Sequence, residues 1–148
     1  MTDYSNLIDA GKIAPGRFSE KQVKDRLDLA ERDLSIAKDV LASSPEWSFN
    51  IAYNAMHQSG RALMLHEGYR TVGEGHHVTV IRFLEIFLGN GYEKPLQLMD
   101  RMRRQRNRAT YDMAGTISKT QADEALETAK EFVSLIKRKI APDKYAGA

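Results

Sequence analysis

Cysteine is absent from the 148-residue chain, which excludes disulfides and thiolate metal sites and leaves a reducing compartment open. Long apolar runs are missing as well: none approaches the roughly 18 residues that a membrane span requires. Residues 1–16 are polar and acidic, without the apolar core of a secretion signal, so the expected location is cytoplasmic with no membrane partner. Nor is there a large charge of one sign. A net charge of +2 argues against coating nucleic acid over the whole surface but leaves room for a single basic patch. Aromatic residues make up only 8%, and few lie near the basic residues, so sequence-specific stacking of single-stranded bases is not indicated. No stretch alternates as a strand should, and no repeat of 20 to 50 residues is visible.

What remains is helical periodicity. The length predicts one domain that buries roughly 70% of its unfolded surface. Residues 1–18 read as an extended or partly helical, poorly ordered arm, because Gly11, Pro15 and Gly16 interrupt any pattern. From Ser19 a capping box with Gln22 opens a first long helix. Val23, Leu27, Ala30, Leu34, Ala37 and Leu41 then recur at alternating four- and three-residue steps, ending near Ser43. Ser44 and Pro45 restart the chain as cap and first helical residue of a second helix, which runs to about Glu67 with Gly68 as terminator. Its inner face (Ala52, Ala55, Met56, Ser59, Ala62, Leu63) is rich in small residues, so a neighbouring helix can approach closely.

A third helix is expected from about His76 to Leu88. Its wide apolar surface suits burial on two sides, by the bundle and by a second subunit. A fourth starts near Pro95 and continues to about Met113. Ser118 and Gln121 form a second capping box for a fifth helix, with Ala122, Leu126, Ala129, Val133, Ile136 and Ile140 as its seam. The reading is an all-α, up-and-down bundle of four to five antiparallel helices over residues 19–141, with an arm before it and a tail at 142–148.

The most unusual segment lies on the fourth helix. Between Asp100 and Arg108 it carries five arginines against one aspartate, a local charge of +4, so the rest of the chain sums to about −2. Leu98, Met99, Met102, Arg106, Ala109 and Met113 continue an apolar stripe, and Arg106 falls where an apolar residue was due. A guanidinium on a packing face needs a carboxylate, a phosphate or a partner surface, because an unpaired buried charge costs several kcal/mol. The bland alternative is a solvated basic face that braces the bundle. The functional one is a phosphate or RNA-backbone contact through Arg103, Arg104, Arg106, Asn107 and Arg108, since guanidinium forks match phosphate oxygens in pairs.

Other constellations carry less. His57 and His66 are nine apart, on opposite sides of an ideal helix, and His76 and His77 are adjacent at a helix start. Surface or cap roles are expected for all four, with no metal site. The glycine-rich stretch at 68–75 lacks the lysine and hydroxyl residue of a phosphate loop and follows a helix, so it reads as an interhelical connection. Asp100 with Arg104 and Arg108 with Asp112 read as ordinary surface pairs one turn apart.

Two blocks together resemble the HEPN family, small helical domains named for nucleotide binding in prokaryotes and higher eukaryotes. The first is residues 52–63 (AYNAMHQSGRAL), then Gly68-Tyr69-Arg70 and His76-His77 leading into an apolar helix. The second is residues 103–112 (RRQRNRATYD). The resemblance implies a four- or five-helix bundle that dimerises, and in active members an arginine and a histidine that face their counterparts across the dimer. The motif's arginine and asparagine fall on Arg106 and Asn107, while its histidine position falls on Tyr111, a departure from the pattern. Tyrosine, with a pKa near 10, is a poor general base at pH 7, although it can donate a hydrogen bond or stack.

The leading expectation is therefore a homodimeric HEPN-like domain. It binds RNA or a nucleotide phosphate through its arginine helix at the dimer interface, with weak or no cleavage and no cofactor. One alternative is a metal-independent, toxin-like endoribonuclease in which Arg106 acts with Tyr111 or with a histidine from elsewhere, His57 being the choice. The other is an interaction partner of a nucleotidyltransferase-like antitoxin.

Overall fold

A computed structural model of the chain describes residues 2–107 and 117–145. Within them the elements follow in the order α1 (Ser5–Asp9), β1 (Ile13–Pro15), α2 (Glu20–Val40), α3 (Pro45–His66), β2 (Tyr69–Thr71), α4 (His76–Leu88), α5 (Glu93–Asn107), α6 (Lys119–Ile140) and α7 (Pro142–Tyr145). The architecture is an all-α bundle. Both expected capping boxes are present: Ser19 and Gln22 open α2, and Ser118 and Gln121 open α6, each pair satisfying two amides that have no partner inside the helix. Ser44 accepts from the Trp47 amide, and Pro45 supplies the first residue of α3.

α3 is the central helix, packing against α2, α4, α5 and α6. The α2 seam buries Val23, Leu27, Ala30, Leu34 and Ala37, and α6 answers with Ala122, Leu126, Ala129, Val133 and Ile136. The small residues on α3 do what their size allows. Ala52, Ala55, Ala62 and Ser59 are fully buried, and Ser59 returns its hydroxyl proton to the Met56 carbonyl. α5 is anchored by Leu96, Met99 and Met102, all buried. Among the described residues, no helix is long and apolar enough to cross a membrane.

The expectation of a chain without strands is corrected, and the arm, expected to be extended or partly helical, holds α1 and β1. Residues 13–15 pair antiparallel with 69–71, with Ala14 opposite Arg70, and the ladder is extended by Gly16 donating to the Gly68 carbonyl and Val72 to that of Lys12. Strands of three residues are too short to show alternation, so the pairing leaves no periodic trace in the sequence. Tyr4 is only 6% exposed; its ring stacks on Phe83 at 4.2 Å and meets Tyr69 edge-on at 5.1 Å. The arm thus clamps the glycine-rich connection against the bundle and fixes where α4 begins. Gly75 sits there as cap with φ +75°, a left-handed conformation that suits glycine.

α3 and α4 approach closely at Gly60, where a Cβ would lie 2.7 Å from Val80 Cγ1 and 3.1 Å from Leu84 Cδ1. Val80 and Leu84 are fully buried and cannot swing aside. Gly60→Ala is expected to destabilise the fold by about 1–3 kcal/mol despite alanine's better helix propensity, read as a lowered urea midpoint. Gly60→Ala combined with Val80→Ala should recover part of the loss.

Candidate functional site

The buried methionines of α5 set the height of its next turn. Met99 and Met102 point into the core, and Arg106, following in the same stripe, reaches the edge of that core half-buried. Its guanidinium carbon lies 5.2 Å from the centroid of the Tyr53 ring. Nη2 is 3.4 Å from His77 Nε2, while Nε is buried without a hydrogen-bond partner. Among the described residues no carboxylate pairs with it. An aromatic face and an imidazole lone pair stand where a counter-ion would be expected.

α3 and α4 supply those two groups. Tyr53 is fully buried, and His57, one turn further along α3, is 6% exposed. His77 enters from the first turn of α4: its Nδ1 is 2.8 Å from the Tyr53 hydroxyl, and its ring stacks on that of His57 at 4.2 Å. Arginine has donors only, so His77 Nε2 must accept, and Nδ1–H then donates to the Tyr53 oxygen. The contacts select one tautomer, with the lone pair turned toward Arg106.

Burial and charge keep both imidazoles neutral. Burial lowers the His57 pKa to about 3, helped by His77 and by Arg61, Arg106 and Arg26. Burial likewise lowers His77 to about 4, assisted by Arg106, Arg103, Arg61 and His76. The Tyr53 hydroxyl is pushed up to about 12 by burial, against the opposing pull of Arg106 and Arg103. Tyr53 is therefore a neutral hydrogen-bonding group throughout the physiological range.

Arg106 and Arg103 open onto a depression of about 530 Å³ whose other wall is residues 73–78. The N-terminus of α4 lies in this wall, capped by Gly75 with no side-chain hydrogen bond and with no acidic residue in its first turn. Free amides and the positive end of the helix dipole suit an anion there. Glu74, exposed on the loop, is the one acid among the described residues of the lining.

The arginines named from the sequence do not all converge. Arg103 lines the depression but is held by Asp100, its Nε and Nη2 both 3.1 Å from Oδ1. Arg104 is placed elsewhere, 3.7 Å from Asp100 Oδ2 and lining a separate groove with Arg82 and Glu85. Arg108, Tyr111, Asp112 and the side chain of Asn107 lie outside the described residues. The expectation that all four histidines are surface or cap residues is corrected. His66 is exposed and His76 half-exposed, but His57 is buried and His77 belongs to the Arg106 cluster. His57 stacks on His77 and so supports its ring. Sequence reasoning missed His77 and Tyr53 as site residues. The i, i+4 spacing of Tyr53 and His57 on a buried helix face was the available signal.

The HEPN domain model matches residues 23–139, nearly the whole bundle and both blocks. The chain belongs to the HEPN family. Two solved structures share the fold. One is ST0689, an archaeal HEPN homologue (TM-score 0.62, 20% identity, 80% of this chain and 97% of that one). The other is TT1696 from Thermus thermophilus (TM-score 0.62, 19% identity, 80% of this chain and 98% of that one). No curated protein matches the sequence.

The histidine pair has a consequence for stability. Both folded pKa values lie below the unfolded value of about 6.5, so between the two the unfolded chain binds more protons. Stability is complete above pH 6.5 and is lost as pH falls toward 4 and then 3. At pH 5 the loss attributable to His57 is about 2 kcal/mol. Calorimetric melting between pH 7.5 and 4.5 should show a falling Tm, and His57→Phe, which keeps the ring but not the proton site, should flatten the slope.

Proposed function

We propose that this HEPN domain binds RNA, or a nucleotide, by its phosphate at the Arg106 depression. The observation that carries the reading is a half-buried guanidinium with no carboxylate partner among the described residues, beside the free N-terminus of α4. An incoming phosphate would supply the missing counter-charge, with Arg103 adding a second, partly compensated fork. Asn107 and Arg108 belong to the same proposal as the neighbouring residues on the chain. In this reading the domain works as a homodimer. The half-exposed apolar residues Val78, Ile86 and Phe87 of α4 offer a surface for a second copy.

A second reading, metal-independent cleavage of RNA, is favoured by one observation: His77 presents an imidazole lone pair 3.4 Å from Arg106, at the edge of the depression. In that reading His77, rather than His57, moves the proton. A pKa near 4 means the base is always deprotonated at neutral pH but weakly basic, which supports slow cleavage or none.

Retention of labelled RNA by the purified protein should fall steeply as salt is raised from 50 to 300 mM. Arg106→Gln should weaken it about ten-fold or more. Absence of salt-dependent retention by the unmodified protein overturns the binding reading. Prolonged incubation in EDTA separates the two readings: intact RNA speaks for binding alone, and fragments that disappear with His77→Ala speak for cleavage.

A further inference from the structure

The cluster does not end at His57. Tyr53, His57 and Arg61 follow one another on α3 at steps of four residues, so they form one stripe along the helix. Arg106 stands over the first, His77 stacks on the second, and the third is another guanidinium. Arg61 is half-buried, and burial together with the charge of Arg26 presses against its positive form. Arg26, reaching over from α2, is held by its Nη1 donating to Gln58 Oε1 at 2.9 Å, a neutral partner that orients the fork without cancelling its charge. Among the described residues no carboxylate forms a salt bridge with Arg61 or Arg26. α2 is otherwise rich in compensated charge: Lys21 pairs with Asp25, Lys24 with Asp28 and Arg32 with Asp33. Two adjacent cations left uncompensated on such a helix pair raise the energy of the empty protein, and an anion lowers it.

We propose that Arg61 and Arg26 form a second phosphate site on the track that begins at Arg106, so that the ligand of this face is a single-stranded oligonucleotide rather than a mononucleotide. The proposal rests on the phosphate-binding reading of Arg106. Tyr53 and Arg61 are eight helical steps apart, about 12 Å along the axis, so one phosphate cannot touch both ends of the stripe. A backbone of several linked phosphates can, passing over His77 and His57 on the way. The contacts are to phosphate, so binding strength depends on length and salt more than on base sequence.

The test uses the full chain and fluorescently labelled uridine oligomers, a dinucleotide and a decamer, with a thymidine DNA decamer as third probe. The double variant Arg26→Gln/Arg61→Gln is compared with Arg106→Gln, and far-UV melting verifies that each is folded. The double variant should bind the RNA decamer about ten-fold or more weakly, with a salt slope shallower by about 1.4, two lost contacts at about 0.7 each. Its dinucleotide affinity should be unchanged, whereas Arg106→Gln weakens both probes. Arg26→Lys/Arg61→Lys, which keeps the charge, should retain most of the decamer affinity; an equal loss there overturns the proposal. Equal losses on RNA and DNA support contacts to the phosphate backbone, and a loss confined to RNA overturns them in favour of the ribose. If the double glutamine variant binds the decamer normally while Arg106→Gln does not, the track is wrong and the Arg106 reading stands. If the unmodified chain binds none of the probes, both fall together.

Discussion

A guanidinium held at the edge of the core by an aromatic face and a neutral imidazole is the constraint around which this end of the bundle is built. Among the described residues no carboxylate pairs with Arg106, and Asp100 on the same helix holds Arg103 instead. The Tyr53 ring offsets part of the desolvation cost, by about 1–2 kcal/mol for a cation over a buried aromatic face. The remaining cost is kept down because Arg106 is only half-buried. Its charge stays available to an external anion in a way that the charge of Arg103 does not. The buried Nε without a partner is the part of the cost that nothing among the described residues offsets.

The rest of the fold makes that arrangement rigid. His77 is placed by the start of α4, the start of α4 by the connection at 68–75, and that connection by its ladder with residues 13–15. Tyr4 stacks on Phe83, so the arm also grips α4 from its own side. Behind the site, Gly60 lets Val80 and Leu84 come close enough to α3 that the Tyr53–His77 bond closes at 2.8 Å. Short-range devices such as a glycine cap, a three-residue ladder and a missing Cβ therefore determine the geometry of groups far apart in sequence.

Much of this was legible before the coordinates. The four-three seams of α2 and α6, each with its capping box, located the starts of both helices and the end of α6, and placed the end of α2 three residues too late; Ser44-Pro45 located the start of α3. These signals are local, and tertiary packing reinforces them. The ladder was not legible, because pairing through backbone groups over three residues imposes no side-chain pattern. Arg106 could be singled out because it interrupts an apolar stripe, a contrast visible within one helix. His77 could not, since its role comes from contact with a helix 29 residues away. Counting histidines by metal-ligand spacing turned attention away from a pair that stacks face to face. Tyr111, the residue on which the resemblance placed the motif histidine, lies outside the described residues.

Burial also ties binding to any proton transfer at this site. The features that hold His77 neutral (desolvation and the nearby charges of Arg106 and Arg103) are the same ones that make the empty site attractive to phosphate. They act on the imidazole in one direction only while the site is empty. A phosphate seated between the arginines cancels their field at Nε2 and places a negative charge nearby, and both changes raise the affinity of that nitrogen for a proton. The basicity of His77 is therefore a property of the complex rather than of the free protein, and the low pKa of the empty site limits only what it does before a ligand arrives. Within the proposed phosphate-binding reading, the choice between binding alone and cleavage then turns on how far a bound backbone restores that basicity. That in turn depends on how completely the anion neutralises two guanidiniums, of which Arg103 already has the Asp100 carboxylate.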